Sequence, residues 1–154
     1  MAKSKTDKVL NSFDNLYAGG GIVNLAEYPR YPKKVSTNRP SLDYLTDGGL
    51  PKGRLILIAG TPSSGKSSLT IQVAESFGKR ILYIDTEATL TTDYIESLGS
   101  NPSSFSHCIP STTEEMCNII RREIPNYDAI IVDSINNSAS NEQMNKEAGD
   151  RTMA

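Results

Sequence analysis

The sequence predicts an α/β fold, a parallel sheet flanked by helices, and three observations carry that prediction. Apolar runs at 55–59 (LILIA), 81–85 (ILYID) and 129–132 (AIIV) are short and continuous, as strands buried on both faces require. Between them stand segments with apolar residues at helical spacing: Leu69, Val73 and Phe77, then Met116, Ile119, Ile120 and Ile124. A glycine- and serine-rich loop, residues 60–65, joins the first run to the first of these helices. Strands alternating with helices are the pattern of a parallel sheet.

The 154 residues suffice for one domain with a sizeable core. Hydrophobic content of 37% and charged content of 22% lie slightly below globular averages and far from the disordered extreme. A net charge of -2 carries no bulk basic signal, so nucleic acid would have to be met by a local patch. Cys108 and Cys117 do not match any zinc spacing, which leaves reduced thiols in an intracellular chain as the plain reading. No apolar run reaches transmembrane length, residues 1–10 lack the apolar stretch of a signal peptide, and the first arginine is Arg30. A cytoplasmic protein is therefore expected, with no membrane partner.

The remaining elements follow in chain order. Val9, Leu10, Phe13, Leu16 and Tyr17 predict an amphipathic helix over 5–17, ended by Gly19-Gly20-Gly21. Residues 26–40, with Pro29, Pro32 and Pro40, read as an extended connector. After the strand at 81–85 a short helix is expected near 92–98, closed by Gly99, and a brief strand at 107–109. Ser111-Thr112-Thr113-Glu114-Glu115 offers overlapping capping boxes for the helix that follows. Past Ser134 the chain becomes polar. Two parts are expected: 1–34 as N-terminal helix and linker, and 35–154 as the core.

Gly60-Thr61-Pro62-Ser63-Ser64-Gly65-Lys66-Ser67 fits the phosphate-loop pattern G-x-x-x-x-G-K-[ST]. Glycines let the backbone wrap a phosphate group with its N–H groups inward, and the helix that follows offers the positive end of its dipole to the same anion. Lys66 would reach the β- and γ-phosphates, and the Ser67 hydroxyl would ligate Mg²⁺. The octapeptide alone also describes an ordinary turn, but here it follows an apolar strand and opens a helix. Asp133 ends the run at 129–132, at the carboxyl end of a strand where open α/β sheets bind ligands. It reads as a Mg²⁺ ligand acting through water, with a solvated strand-end acid as the alternative. Asp85-Thr86-Glu87 closes the second strand, and spacing does not decide between a catalytic carboxylate and an exposed acid.

Several segments together resemble the RecA family of recombinases. They are Val35-Ser36-Thr37, Ser41-Leu42-Asp43, Gly48-Gly49-Leu50-Pro51-Lys52-Gly53-Arg54, the phosphate loop through Ser68-Leu69-Thr70, Tyr83-Ile84-Asp85-Thr86-Glu87-Ala88-Thr89-Leu90, and Tyr127 to Ser134. The resemblance implies a P-loop ATPase core that binds ATP and Mg²⁺ through Gly60, Thr61, Pro62, Ser63, Ser64, Gly65, Lys66, Ser67 and Ser68. It implies that Glu87 is the catalytic glutamate, that Tyr94 stacks on adenine, and that Ser134 is the small hydroxyl residue after the metal-binding Asp133. Thr91 stands where the family has an aspartate that contacts the base. The helix over 5–17 resembles the element that packs one subunit on the next in a filament, with a helix lying on its own domain as the alternative. Residues 145–154 resemble the start of the first DNA-binding loop, with Lys146, Gly149, Arg151 and Met153 as candidate contacts to single-stranded DNA and a frayed polar tail as the alternative. His107, the only histidine, matches nothing catalytic in the family, and Arg121-Arg122 read as the solvated face of their helix.

Family members also continue past this sequence, into a strand with a γ-phosphate-sensing glutamine and a second DNA-binding loop. That strand would lie between the phosphate-loop strand and the Asp133 strand. The resemblance therefore implies an incomplete core, whose partner is a second polypeptide or further copies in a filament. An ATP-dependent recombinase and a non-catalytic nucleotide-binding fragment both remain open at this point, and a helicase-loader or circadian-type ATPase stands more remotely behind them.

Overall fold

The computed structural model describes residues 32–135. The expected helix over 5–17 and the candidate DNA contacts Lys146, Gly149, Arg151 and Met153 lie outside the described residues.

The core of this region is a three-stranded parallel sheet. Its strands are β3 (Ile81–Asp85), β4 (Phe105–Cys108) and β5 (Ala129–Asp133), with β3 in the centre between β4 and β5. Two strands, β1 (Lys34–Val35) and β2 (Leu50–Pro51), precede it as a separate antiparallel pair. The helices are α1 (Pro40–Leu45), α2 (Lys66–Ala74), α3 (Thr92–Ser97) and α4 (Thr113–Glu123). A turn of 3₁₀ helix, Pro102–Ser104, leads into β4.

Alternation along β3 explains why the central strand can be buried throughout. Ile81 and Tyr83 point to one face, where they meet Ile71 and Ala74 of α2 together with Ile131 and Phe105. Leu82 and Ile84 point to the other, against Met116, Ile119 and Ile120 of α4. Successive strand side chains alternate between faces, so a run of five apolar or buried residues calls for a helix on each side. The chain supplies both. Each fully buried aliphatic side chain contributes about 1.5–3 kcal/mol relative to exposure, and Ile71, Ile81 and Ile84 are completely inaccessible.

Register sets the site. Tyr83 lies opposite both His107 of β4 and Ile131 of β5, and Asp85 lies opposite Asp133. At the other end of the strands, Asp128 accepts from the Arg80 guanidinium at 2.9 Å, and its backbone N–H donates to Arg80 O at 2.8 Å. The α4 helix begins as its sequence requires: Thr112 Oγ1 accepts from Glu115 N–H, and the Glu115 carboxylate accepts from Ser111 N–H. Glu114 and Glu115 stand in its first turn and Arg121 and Arg122 in its last, matching the helix dipole.

The expected strand at 55–59 does not form. Leu55 is 96% exposed and Leu57 78% exposed, and neither belongs to a ladder. The physical reason is the lack of a neighbour: β5 is paired only on its β3 side among the described residues, and no described strand offers 55–59 its hydrogen bonds. Burying such backbone groups unpaired would cost about 1–3 kcal/mol each, so they stay in water. Two further differences are smaller. The third strand runs over Phe105–Cys108 rather than 107–109, and the connector ends in a hairpin-like β1–β2 pair enclosing α1. There the Asp43 carboxylate accepts from Ser36 Oγ, Thr37 N–H and Thr37 Oγ1 at 2.6–2.8 Å. Gly49 is required in this pair, because a Cβ on it would run into the Val35 carbonyl.

Candidate functional site

The phosphate loop is shaped by two residues in the left-handed region, Ser63 at φ 59° and Gly65 at φ 84°. Glycine occupies that region freely, whereas a serine is held there by its surroundings. Left-handed residues interspersed with right-handed ones are the backbone pattern of anion-binding loops, and these two stand immediately before α2. Lys66 opens α2, and its Nζ donates to the loop's own Thr61 carbonyl at 2.9 Å. A Cβ on Gly60 would stand 2.8 Å from Ser64 Oγ, so any side chain there would require the Ser64 hydroxyl to turn away. Ser63, Ser64, Gly65, Lys66, Ser67, Ser68 and Tyr94 line a cavity of about 210 Å³. Ser68 Oγ and Tyr94 OH are 2.7 Å apart, which fixes the tyrosine ring beside the first turn of α2.

A second cavity of about 260 Å³ shares Ser67 and Tyr94 with the first and adds Tyr83, Thr89, Leu90 and Asp133. The candidate Mg²⁺ ligands Ser67 and Asp133 thus wall one space. Tyr83 OH donates to Asp133 Oδ2 at 2.6 Å. Burial, and then this hydrogen bond, pushes the Tyr83 phenol far above its usual range, so it remains a donor. Oxygen ligands of this kind suit a hard divalent cation.

Glu87 is exposed and stands next to this space rather than in the wall of either cavity. Its carboxylate Oε1 accepts from Ser134 Oγ at 3.2 Å. The backbone of Ser134 is tied to Thr86, whose Oγ1 donates to Ser134 O at 2.6 Å and accepts from Ser134 N–H at 2.9 Å. The ends of β3 and β5 are therefore laced together, and Glu87, Ser134 and Asp133 are brought to one place. Thr91 serves as the N-cap of α3, accepting from Tyr94 N–H at 3.2 Å. Thr61 contributes its carbonyl to Lys66, while Gly60 and Pro62 shape the turn without lining a cavity.

Sequence reasoning assigns no role to Tyr83 or His107 and leaves Asp85 open between a catalytic and an exposed acid; the structure engages all three. Nothing in the strand pattern marks Tyr83 for a role, yet it holds Asp133. Asp85 is almost inaccessible and organises the loop after β3, accepting from Glu87 N–H at 3.1 Å and Leu90 N–H at 2.8 Å. His107 completes that carboxylate's shell, with Nε2 3.2 Å from Asp85 Oδ2. Burial alone would push the Asp85 carboxyl up; the bonds from Leu90, His107 and Glu87 outweigh it and hold it below the ordinary carboxylate value. The available signal was an acid inside an apolar run at Ile81–Asp85, which demands a partner.

Comparison with known proteins identifies the family. A family model described as the RecA N-terminal domain matches residues 4–154. The chain belongs to the RecA family. Protein RecA of Anaplasma marginale (strain Florida) is 32% identical over 154 residues, covering 96% of this chain and 43% of that protein. Protein RecA of Rickettsia massiliae is 34% identical over 164 residues, covering 98% of this chain and 48% of that protein. Protein RecA of Marinobacter nauticus is 33% identical, with 96% and 45% covered. The chain spans under half the length of these curated relatives. Among the described residues no helix is long and apolar enough to cross a membrane.

Proposed function

We propose that this chain binds ATP with Mg²⁺ at residues 60–68 and supplies the nucleotide-binding part of a RecA-type DNA recombinase. The observation that carries the reading is the shared wall. The left-handed turn at Ser63 and Gly65, Lys66 at the head of α2, and Asp133 at the end of β5 converge on two adjoining cavities that have Ser67 and Tyr94 in common.

In this reading the loop amides and Lys66 hold the β- and γ-phosphates, and Tyr94 packs on the base with Thr91 at its edge. Ser67 and Asp133 would hold Mg²⁺, which would supply positive charge beside the phosphate oxygens. Glu87 takes a proton from a water whose oxygen bonds to the γ-phosphorus as the bond to the ADP oxygen breaks. Ser134 orients the Glu87 carboxylate. Single-stranded DNA would be met through Lys146, Gly149, Arg151 and Met153, the helix over 5–17 would pack subunits into a filament, and the protein would work in a cytoplasm. Activity in strand exchange would need the core to be completed by further chain or a second polypeptide. One observation favours the alternative of a non-catalytic nucleotide-binding fragment that associates with RecA-type subunits: the apolar run at 55–59 is exposed, and β5 has one unpaired edge among the described residues.

Equilibrium binding of Mg·ATP decides the first step. Lys66→Ala should weaken it at least about tenfold, because a hydrogen bond to a charged group is worth about 1.5–3 kcal/mol. Equal affinity in the variant would remove the basis of the reading. Where turnover is measurable, Glu87→Gln should keep the affinity and lose roughly 10²–10⁴-fold in rate, the range for one positioned acid or base.

A further inference from the structure

We infer that His107 is a positioning residue for Glu87, acting through the Asp85 carboxylate. The inference rests on the reading of Glu87 as the hydrolytic base.

Asp85 is a carboxylate whose side chain is only 2% exposed, while that of His107 is 38% exposed. Such a group stays in place only when its oxygens are fully engaged. Two engagements belong to the loop after β3: Oδ1 accepts from the Glu87 N–H, and Oδ2 from the Leu90 N–H. One carboxylate thus pins both ends of residues 87–90. Ala88, between them, sits at φ 53°, a left-handed conformation that a residue with a Cβ adopts only when the surrounding chain enforces it. The third engagement comes from outside the loop. His107 lies on β4 directly opposite Tyr83, its ring tilted against the tyrosine at 6.5 Å between centroids, and Nε2 reaches Asp85 Oδ2.

Without the imidazole, a buried anion loses a partner that is charged when the ring is protonated. The carboxylate then gains by turning towards water, and it releases the two amides that set where Glu87 begins. Ser134 would still touch the Glu87 carboxylate, but from a loop no longer anchored at its base. Nucleotide contacts at residues 63–68 are made by other elements and should not change.

The test compares the wild-type chain with His107→Ala, His107→Gln and His107→Asn. Hydrogen exchange of the Glu87 and Leu90 amides should accelerate roughly tenfold in His107→Ala, the worth of about one hydrogen bond, with residues 63–67 unaffected. ATP turnover should fall in kcat with KM and Mg·ATP affinity unchanged. Gln, whose amide nitrogen reaches the place of Nε2, should restore both slow exchange and kcat; Asn, one bond shorter, should restore neither. If His107→Ala does not fold, the contrast between Gln and Asn decides. Wild-type protection of Glu87 and Leu90 in Ala and Asn, or equal behaviour of Gln and Asn, would overturn the inference. A wild-type chain that neither binds nor hydrolyses ATP would sink the nucleotide reading instead, and the exchange rates would still decide the role of His107.

Discussion

Residues 55–59 and strand β3 begin from nearly the same sequence and end in opposite environments. LILIA and ILYID are five-residue runs dominated by Leu and Ile, and either would serve as the centre of a parallel sheet. β3 has β4 on one edge, β5 on the other and a helix over each face, and all five of its residues are buried. The run at 55–59 has none of these neighbours among the described residues and leaves Leu55 and Leu57 in solvent. The difference teaches that apolarity nominates a strand while pairing makes one. Hydrophobic burial alone cannot compensate a row of backbone groups left without partners.

Mutations in the two runs should differ most in unfolding free energy. Ile84→Ala, at a fully buried position, should cost about 2–5 kcal/mol in denaturant titration. Leu55→Ala should stay within about 0.5 kcal/mol in the same chain. Comparable losses at both sites would break the comparison. A sharper form adds a polypeptide that pairs with 55–59: Leu55→Ala should then become as costly as a core truncation.

Acid sensitivity should also separate the two regions, since residues 55–59 carry no carboxylate and β3 ends in Asp85. The Asp85 carboxyl is held below 3.8 despite its burial, by bonds from Leu90, His107 and Glu87. A depressed carboxylate stabilises the fold above its unfolded value, and that contribution disappears as the pH falls through the folded value. Stability should therefore decline below about pH 4, and Asp85→Asn should flatten that limb. An unchanged acid limb in the variant would show that other carboxylates govern it. The smallest effect is expected at the start of α4, where Thr112→Ala removes the cap on Glu115 N–H and should cost about 1 kcal/mol by thermal or denaturant unfolding.

Much of this region was legible in the sequence, for local reasons. The phosphate loop, the strands β3 and β5, and the α4 helix each depend on spacing or capping within about a dozen residues. Asp133 could be nominated from its place at the carboxyl end of an apolar run, and Tyr94 and Ser134 because resemblance to RecA assigns them; the structure brings Tyr94 and Asp133 to adjoining cavities. Long-range partnerships were hidden. Tyr83 meets Asp133 from 50 residues away and His107 meets Asp85 from 22, through a strand register that no local pattern encodes. The missing neighbour of 55–59 is implied by the resemblance, but that its loss would dissolve the strand itself is not, since pairing is a property of the neighbour.

The central claim is that residues 60–68 form a nucleotide site on a sheet built around β3. An amide NMR titration of the chain with Mg·ATP tests it most directly. The account predicts saturable shifts at residues 63–68 and at Tyr94, absent in Lys66→Ala, with residues 55–59 silent throughout. Saturating Mg·ATP that leaves 63–68 unmoved, or moves them equally in Lys66→Ala, would contradict it.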